Sequence, residues 1–155
     1  TLDAPCMMFL SRQALPQLSG SSVVDAANGG YIIREANGGK PDAIVIATGS
    51  EVSISVDAAE ALEKAGIQVR VVSMTFMELF EQQPEEYREK VLPSGIRARV
   101  AVEALGGMSW YKYTGLDGEI VSMKSFGASA PAGELFKHFG ITSECVADAV
   151  KRVIG

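Results

Sequence analysis

Apolar residues follow a strand–helix–strand pattern between positions 41 and 73. Residues 43–47 form an almost wholly apolar run, which is typical of a strand buried on both faces of a parallel sheet. A Thr-Gly-Ser turn interrupts the run, and Glu51 then opens a stretch in which apolar residues recur every three or four positions, as on a helix. Gly66 predicts the end of that helix, and residues 68–73 form a second apolar run. The pattern therefore predicts a βαβ unit with a right-handed crossover.

The alternation of strands and helices continues to the end of the chain. Further strands are predicted at residues 29–34, 97–102 and 119–123, and further helices at 76–81, 84–92, 108–113, 131–139 and 143–154. Alternation of this kind places helices on both faces of a mostly parallel sheet. The sequence therefore predicts a three-layer α/β/α sandwich over residues 29–155.

The first 28 residues do not fit this alternation. Residues 6–11 are apolar enough for a buried strand, but no preceding segment could pair with it. Residues 14–28 contain Pro16, Gly20 and several serines, which indicate an irregular connector. We therefore expect residues 1–28 to be a tail and linker from a preceding domain, and the chain to begin partway through a larger protein.

Composition and charge narrow the classes of function. The 155 residues are 47% hydrophobic and 21% charged, with a net charge of −5 and no cluster of Lys and Arg. These values argue against nucleic acid and against an anionic membrane as partners. The two cysteines, Cys6 and Cys145, lie far apart and have no metal-type spacing, so we expect free thiols and a cytoplasmic setting.

The turn after the strand at residues 43–47 is a candidate anion-binding corner. Gly49 and Ser50 lie where a strand gives way to a helix, and free backbone N–H groups and the helix dipole favour an anion there. The alternative is structural: Ser50 caps the helix, Gly49 makes the turn, and Glu51 repels an anion. The loop at residues 125–129 is a second, weaker corner. His138 is expected on a helix surface, and neither cysteine has a histidine close in sequence.

Several segments in order resemble the C-terminal part of transketolases. The segments cover nearly the whole chain and have the family's spacing: Leu10–Pro16 (LSRQALP), Gly29–Tyr31, Ile46–Val52 (IATGSEV), Val69–Ser73, Val91–Pro93, Arg97–Glu103, Trp110–Tyr113 (WYKY) and Phe126–Pro131. Ala14 departs from the family, where Asn is common. In this resemblance, residues 1–13 correspond to the last strand of the middle domain and residues 14–28 to the linker. The resemblance also assigns one antiparallel strand to Tyr31–Arg34.

The resemblance implies a function for the whole protein and a limited role for this chain. Transketolases use thiamine diphosphate and a divalent metal, magnesium or calcium, to transfer two-carbon ketol units between sugar phosphates in the pentose phosphate pathway. They work as homodimers, and the cofactor lies between the N-terminal and middle domains. We therefore expect this chain to hold no catalytic, cofactor-binding or metal-binding residue, to support the fold and the dimer, and to be inactive alone.

Arg12 is the residue that we expect to bind substrate. It follows an apolar segment, and a guanidinium donates two parallel charged hydrogen bonds to a phosphate. The resemblance implies that the Arg of the Ser-Arg-Gln segment grips the sugar phosphate in the full-length enzyme. The alternative is a surface arginine paired with a local carboxylate.

Two other functions stay open at this point. One is the C-terminal domain of a related thiamine enzyme, such as a deoxyxylulose-phosphate synthase or a pyruvate dehydrogenase β chain. The other is a free-standing α/β module that binds an anion at Ser50. The Ser-Arg-Gln and Trp-Tyr-Lys-Tyr segments favour transketolase over the first alternative.

Overall fold

In the part of the chain that the structure describes, the sheet has five strands, and four of them run parallel. The computed structural model describes residue 5 and residues 7–155. The strands are β1 (Gly30–Arg34), β2 (Ala43–Ala47), β3 (Val69–Met74), β4 (Arg99–Glu103) and β5 (Glu119–Ser122). Their order is β1-β3-β2-β4-β5, and β1 pairs antiparallel with β3 while the other pairs are parallel. The predicted α/β/α fold with one antiparallel edge strand is therefore confirmed.

Helices connect the strands and cover both faces of the sheet. Those longer than one turn are α2 (Glu51–Lys64), α3 (Met77–Glu81), α4 (Glu85–Val91), α6 (Ala132–His138) and α7 (Ser143–Ile154). Two single turns, α1 (Val23–Ala26) and α5 (Tyr111–Thr114), and two 3-10 turns, Asn37–Gly39 and Gly107–Trp110, complete the set. Thr142 caps α7 as predicted, because its side chain accepts a hydrogen bond from the Cys145 N–H.

Alternate residues of the central strands feed two separate cores. Val45 and Val100 point to the face that α2 and α7 cover, and Ile44 and Ala101 point to the face that α3, α4 and α5 cover. All four side chains are fully buried. Because both faces are covered, the strands read as continuous apolar runs rather than alternating ones.

The Trp-Tyr-Lys-Tyr segment packs over the sheet at its second core. Trp110 and Tyr113 are buried there, with ring centroids 6.2 Å apart, and Tyr111 is exposed. Burial of two aromatic rings against β4 ties the short α5 turn to the sheet. The segment is therefore mainly part of the core rather than an open binding surface.

The apolar N-terminal tail is uncovered in this structure. Residues 7–11 form no strand, and the side chains of Met7, Met8, Phe9 and Leu10 are 77–87% exposed. No neighbouring strand pairs with these residues here, and their assignment to the last strand of a middle domain stays a prediction. Cys6 lies outside the described residues. The expected irregular connector contains the α1 turn, which Ser22 caps by accepting a hydrogen bond from the Asp25 N–H.

The carboxyl ends of β2 and β4 form the point where the chain changes direction. β2 and β4 are neighbours, but α2 leaves β2 toward the first core, whereas the segment after β4 leads to α5 over the second core. Such a switch point opens a crevice at which open α/β sheets place ligands. Gly49 and Ser50 lie at this crevice.

Candidate functional site

The turn between β2 and α2 forms the candidate anion-binding corner that was predicted from the sequence. Gly49 has a φ of 55°, in the left-handed region that favours glycine. Ser50 has helical dihedral angles and makes no side-chain capping hydrogen bond. The structural interpretation of Ser50 as a cap is therefore wrong, although Gly49 does make the turn.

The Glu51 carboxylate fills the corner from within the protein. The residue is only 4% exposed, and its Oε1 accepts a 2.6 Å hydrogen bond from the Ala104 N–H at the end of β4. Its Oε2 accepts a 2.6 Å hydrogen bond from the Ser50 hydroxyl. Burial raises the pKa of Glu51, while the hydrogen bonds from Ser50 and Ala104 oppose that rise. One side chain thus joins the start of α2 to the end of β4.

Glu103 is a second carboxylate beside the first. Its Oε1 accepts a hydrogen bond from the Leu105 N–H, and its Oε2 accepts one from the Trp110 indole N–H, both at 2.9 Å. The charge of Glu103 adds to the rise in the pKa of Glu51. Together the two carboxylates fix the loop between β4 and α5, and an anion at the corner would meet their negative charge.

The tail that carries Arg12 runs across this corner. Gln13 and Ser50 line a cavity of about 250 Å³ whose other walls are mostly apolar, including Met123 and Phe139. Leu15 and Gly49 line a second cavity of about 240 Å³. Arg12 is exposed, and it donates no hydrogen bond to any of the described residues. From the sequence we predicted the corner and Arg12 as two separate candidate sites. In the fold, Gln13 and Leu15, which follow Arg12 in the chain, lie beside the corner.

The other candidate groups do not come together. Among the described residues, no three His, Cys, Asp or Glu side chains are close enough to hold a metal ion. His138 is exposed on α6, as expected, and Cys145 is partly buried in the first turn of α7. In the same part of the chain, no helix is long and apolar enough to cross a membrane.

Sequence reasoning missed the roles of Glu51 and Glu103. It took Glu51 only as a charge that opposes an anion, whereas the side chain is a buried acceptor for a neighbouring strand. One signal was present: each Glu directly follows a short apolar strand or its turn, so each lies at the carboxyl edge of the sheet. That edge carries backbone N–H groups without a partner in the sheet, and a carboxylate can accept hydrogen bonds from them.

Comparison with known proteins identifies the family. The model of the transketolase-like C-terminal domain matches residues 29–142. The chain is 51% identical to chloroplastic transketolase of Solanum tuberosum over 150 residues, which is 96% of this chain and 20% of that protein. It is 49% identical to transketolase 2 of Vibrio parahaemolyticus over 154 residues, which is 98% of this chain and 23% of that protein.

A solved structure agrees with the sequence comparisons. The structure of a Pichia stipitis transketolase in complex with sedoheptulose-7-phosphate superimposes with a TM-score of 0.83 and 44% identity. The match covers 92% of this chain and 20% of that one. The chain thus spans about a fifth of the length of these relatives. They are transketolases rather than the related thiamine enzymes that the sequence left open. The chain therefore belongs to the transketolase family and carries the C-terminal domain of that family.

Proposed function

We propose that this chain works as the C-terminal domain of a full-length transketolase that transfers two-carbon ketol units between sugar phosphates. The identity of about half over nearly the whole chain carries this proposal. The similar Pichia stipitis protein, in complex with sedoheptulose-7-phosphate, supports a sugar phosphate as substrate. The rest of the enzyme, comprising an N-terminal and a middle domain, is the first partner of this chain, and a second subunit in a homodimer is the next.

The described residues do not fit thiamine diphosphate. The polar groups at the switch point are two carboxylates, Glu51 and Glu103, whose oxygens already accept hydrogen bonds from Ala104, Leu105 and Trp110. Their charge would repel a diphosphate, and no metal-type cluster lies among the described residues. We therefore assign the cofactor and its magnesium or calcium ion to the other domains, and to this domain a structural and dimer-supporting role.

Arg12 is the residue through which this chain meets the substrate. Its guanidinium is exposed, and the adjacent Gln13 lies at the carboxyl edge of the sheet, where ligands of α/β domains collect. A planar guanidinium can donate two hydrogen bonds to phosphate oxygens, and each charged hydrogen bond is worth about 1.5–3 kcal/mol. We therefore propose that Arg12 binds the phosphate of the sugar substrates in the whole enzyme.

Substitution of Arg12 in the full-length enzyme tests this assignment. Arg12→Ala should raise KM for phosphorylated donors and acceptors by about tenfold to a hundredfold, as loss of ~1.5–3 kcal/mol implies. The KM for hydroxypyruvate, which has no phosphate, should be nearly unchanged. Arg97→Ala is the matched control. Arg97 is also an exposed arginine, but it forms an ion pair with Asp117 and lies just before β4 begins, at the amino end of that strand. Equal losses for hydroxypyruvate and for sugar phosphates would show that Arg12 supports the fold instead.

The compartment is proposed from the chain's own composition. One relative is named for the chloroplast and another comes from a bacterium, so the relatives do not agree on a compartment. The two widely spaced cysteines favour a reducing compartment such as the cytoplasm. Localisation of the tagged full-length protein would decide between the cytoplasm and an organelle.

A further inference from the structure

Two loops at the carboxyl edge of the sheet, which we name the edge loops, expose apolar side chains and carry no charge. The first, residues 104–109, follows β4 and exposes Leu105 and Met108, whose side chains are 71% and 87% exposed. The second, residues 125–131, follows β5; all its residues are exposed, and Phe126 is 99% exposed. Neither range contains Asp, Glu, Lys or Arg. Apolar surface without charge is typical of the buried centre of an interface.

The edge loops form one continuous surface. The Leu105 carbonyl accepts a 3.2 Å hydrogen bond from the Met123 N–H, which joins the first loop to the segment that leads into the second. A Cβ atom added to Gly127 would lie 3.7 Å from the terminal methyl group of Met123, so the second loop folds back over the same side chain. Ala104, Met123 and Gly127 also line the mostly apolar cavity of about 250 Å³ beside Ser50. The surface therefore combines projecting apolar side chains with an apolar cavity.

The turn between α5 and β5, at the amino edge of the sheet, has a different character. Leu116 lies in this turn and is fully exposed, but its neighbour Asp117 forms an ion pair with Arg97. A single exposed apolar side chain among charged ones is ordinary for a protein surface. The charge-free apolar cluster is thus a feature of the carboxyl edge, and Leu116 provides a control for it.

The connection to the preceding domain leaves from the carboxyl edge as well. Leu18 is partly buried against the first core, and it lines a cavity with Gly49 and Thr75, which follow the carboxyl ends of β2 and β3. In the resemblance the middle domain ends at residue 13, and Leu18 is the fifth residue after it. Five residues of extended chain span at most about 18 Å. The middle domain therefore ends within about 18 Å of this edge.

We propose that the edge loops are the surface on which the preceding domain of the same chain docks. The inference rests on the proposed function, in which a middle domain precedes this one. The sheet spans only about 19 Å from β1 to β5, and a domain of 100 residues has a radius of gyration of about 13 Å, so the middle domain can reach both loops. The short connection gives that domain a high effective concentration, which favours it over a second copy of the chain. An apolar side chain of the middle domain suits the cavity between the loops.

Hydrogen–deuterium exchange in the 155-residue chain and in the full-length enzyme tests whether the edge loops are covered. The amides of residues 104–109 and 125–130 should exchange at least about tenfold more slowly in the full-length enzyme, because contact with another domain shields them. The amides of residues 115–118, around Leu116, are the control and should exchange equally in both proteins. Equal exchange of the edge loops in the two proteins would overturn the proposal.

A cross-link from the second edge loop identifies what covers it. Benzoylphenylalanine in place of Phe126 in the full-length enzyme should, on irradiation, join two parts of one chain. The product should keep the mass of a single chain on a denaturing gel, and its cross-linked peptides should include one from the preceding domain. A product with the mass of two chains would show that a second copy covers the loop, and the proposal would be wrong. The same group in place of Leu116 should form no such link to the preceding domain.

Substitution of Phe126 measures its part in the contact. Phe126→Ser and Leu116→Ser should both leave the Tm of the 155-residue chain within about 2 °C of wild type, because both side chains are exposed there. In the full-length enzyme, only Phe126→Ser should speed exchange of the edge loops, by about threefold or more. Equal effects of the two variants on that exchange would contradict a docking role for Phe126.

Activity separates the failure of this inference from the failure of the proposed function. If the full-length protein transfers two-carbon units between sugar phosphates but its edge loops exchange as fast as in the 155-residue chain, the proposed function stands and the docking surface is wrong. If the edge loops are protected and cross-linked within the chain but the protein does not use sugar phosphates, the docking surface stands and the proposed function fails.

Discussion

Glu51 offers the sharpest test of how the switch point is held together. In Glu51→Ala the partly buried Ala104 N–H loses its acceptor, which costs about 1–2 kcal/mol, the lower part of the range for an unpaired donor. Loss of one methylene from a residue that is 4% exposed adds ~0.8 kcal/mol. The free energy of unfolding should therefore fall by about 2–3 kcal/mol.

Glu51→Gln separates the hydrogen bonds from the charge. The amide oxygen can still accept from the Ala104 N–H, and the amide nitrogen can donate to the Ser50 hydroxyl, so both partners stay satisfied. The free energy of unfolding at neutral pH should therefore stay within about 1 kcal/mol of wild type. Urea denaturation of the 155-residue chain measures both variants.

The pH dependence of stability tests the charge itself. The pKa of Glu51 is raised in the folded state above its ordinary value of 4.5, because burial disfavours the carboxylate. The stabilisation that this shift contributes is present below the ordinary pKa, and it is lost as the pH rises through the folded pKa. The free energy of unfolding of wild type should therefore fall relative to Glu51→Gln as the pH rises from about 4.5 toward neutrality.

Two results would refute this reasoning. If Glu51→Ala and Glu51→Gln lose the same free energy of unfolding, the hydrogen bond to Ala104 does not stabilise the corner. If wild type and Glu51→Gln show parallel pH profiles, Glu51 does not titrate with a raised pKa. Glu60→Gln is the control, because Glu60 is exposed on the same helix.

Two further predictions concern the chain on its own. The isolated chain should show no turnover and no heat of binding with thiamine diphosphate and magnesium, because covalent two-carbon transfer depends on a cofactor that we assign to the other domains; a clear calorimetric signal would contradict this assignment. Deletion of the residues before Gln13 should change Tm by no more than about 2 °C and improve solubility, because Met7, Met8, Phe9 and Leu10 are exposed. A fall in Tm of more than about 5 °C would mean that these residues stabilise the domain.

The fold could be predicted because its signals are local and agree with one another. The apolar run at residues 43–47 became β2, and the helical period after Glu51 became α2 with the predicted end near Gly66. The amphipathic pattern of the last helix likewise appears as α7. Apolar residues are continuous in a strand that is buried on both faces, but they recur every three or four positions in a helix that is buried on one face. The spacing of apolar residues therefore distinguishes the two kinds of element. The antiparallel direction of β1 came from the family resemblance and not from any local pattern.

The tail could not be predicted from its own residues, because its environment depends on other parts of the protein. Residues 7–10 have a strand-like sequence, but a strand needs a neighbour to accept and donate its backbone hydrogen bonds. Residues 13–21 have the opposite property. They contain Pro16 and Gly20 and are typical of an irregular connector, yet a Cβ atom added to Gly20 would lie 1.8 Å from the carbonyl oxygen of Ile33 in β1. The glycine that indicated a loop was in fact required by packing.

The switch point shows why a ligand site cannot be inferred from topology alone. The strand order opens a crevice between the ends of β2 and β4, and a short Gly-Ser turn lies there, as in a site for an anion. Glu51 fills that crevice, and its carboxylate takes the hydrogen bond from Ala104 that a bound anion would otherwise accept. The same edge of the sheet still borders a cavity beside Ser50, which Gln13, the residue after Arg12, lines together with apolar side chains. Its mostly apolar lining does not suit an anion.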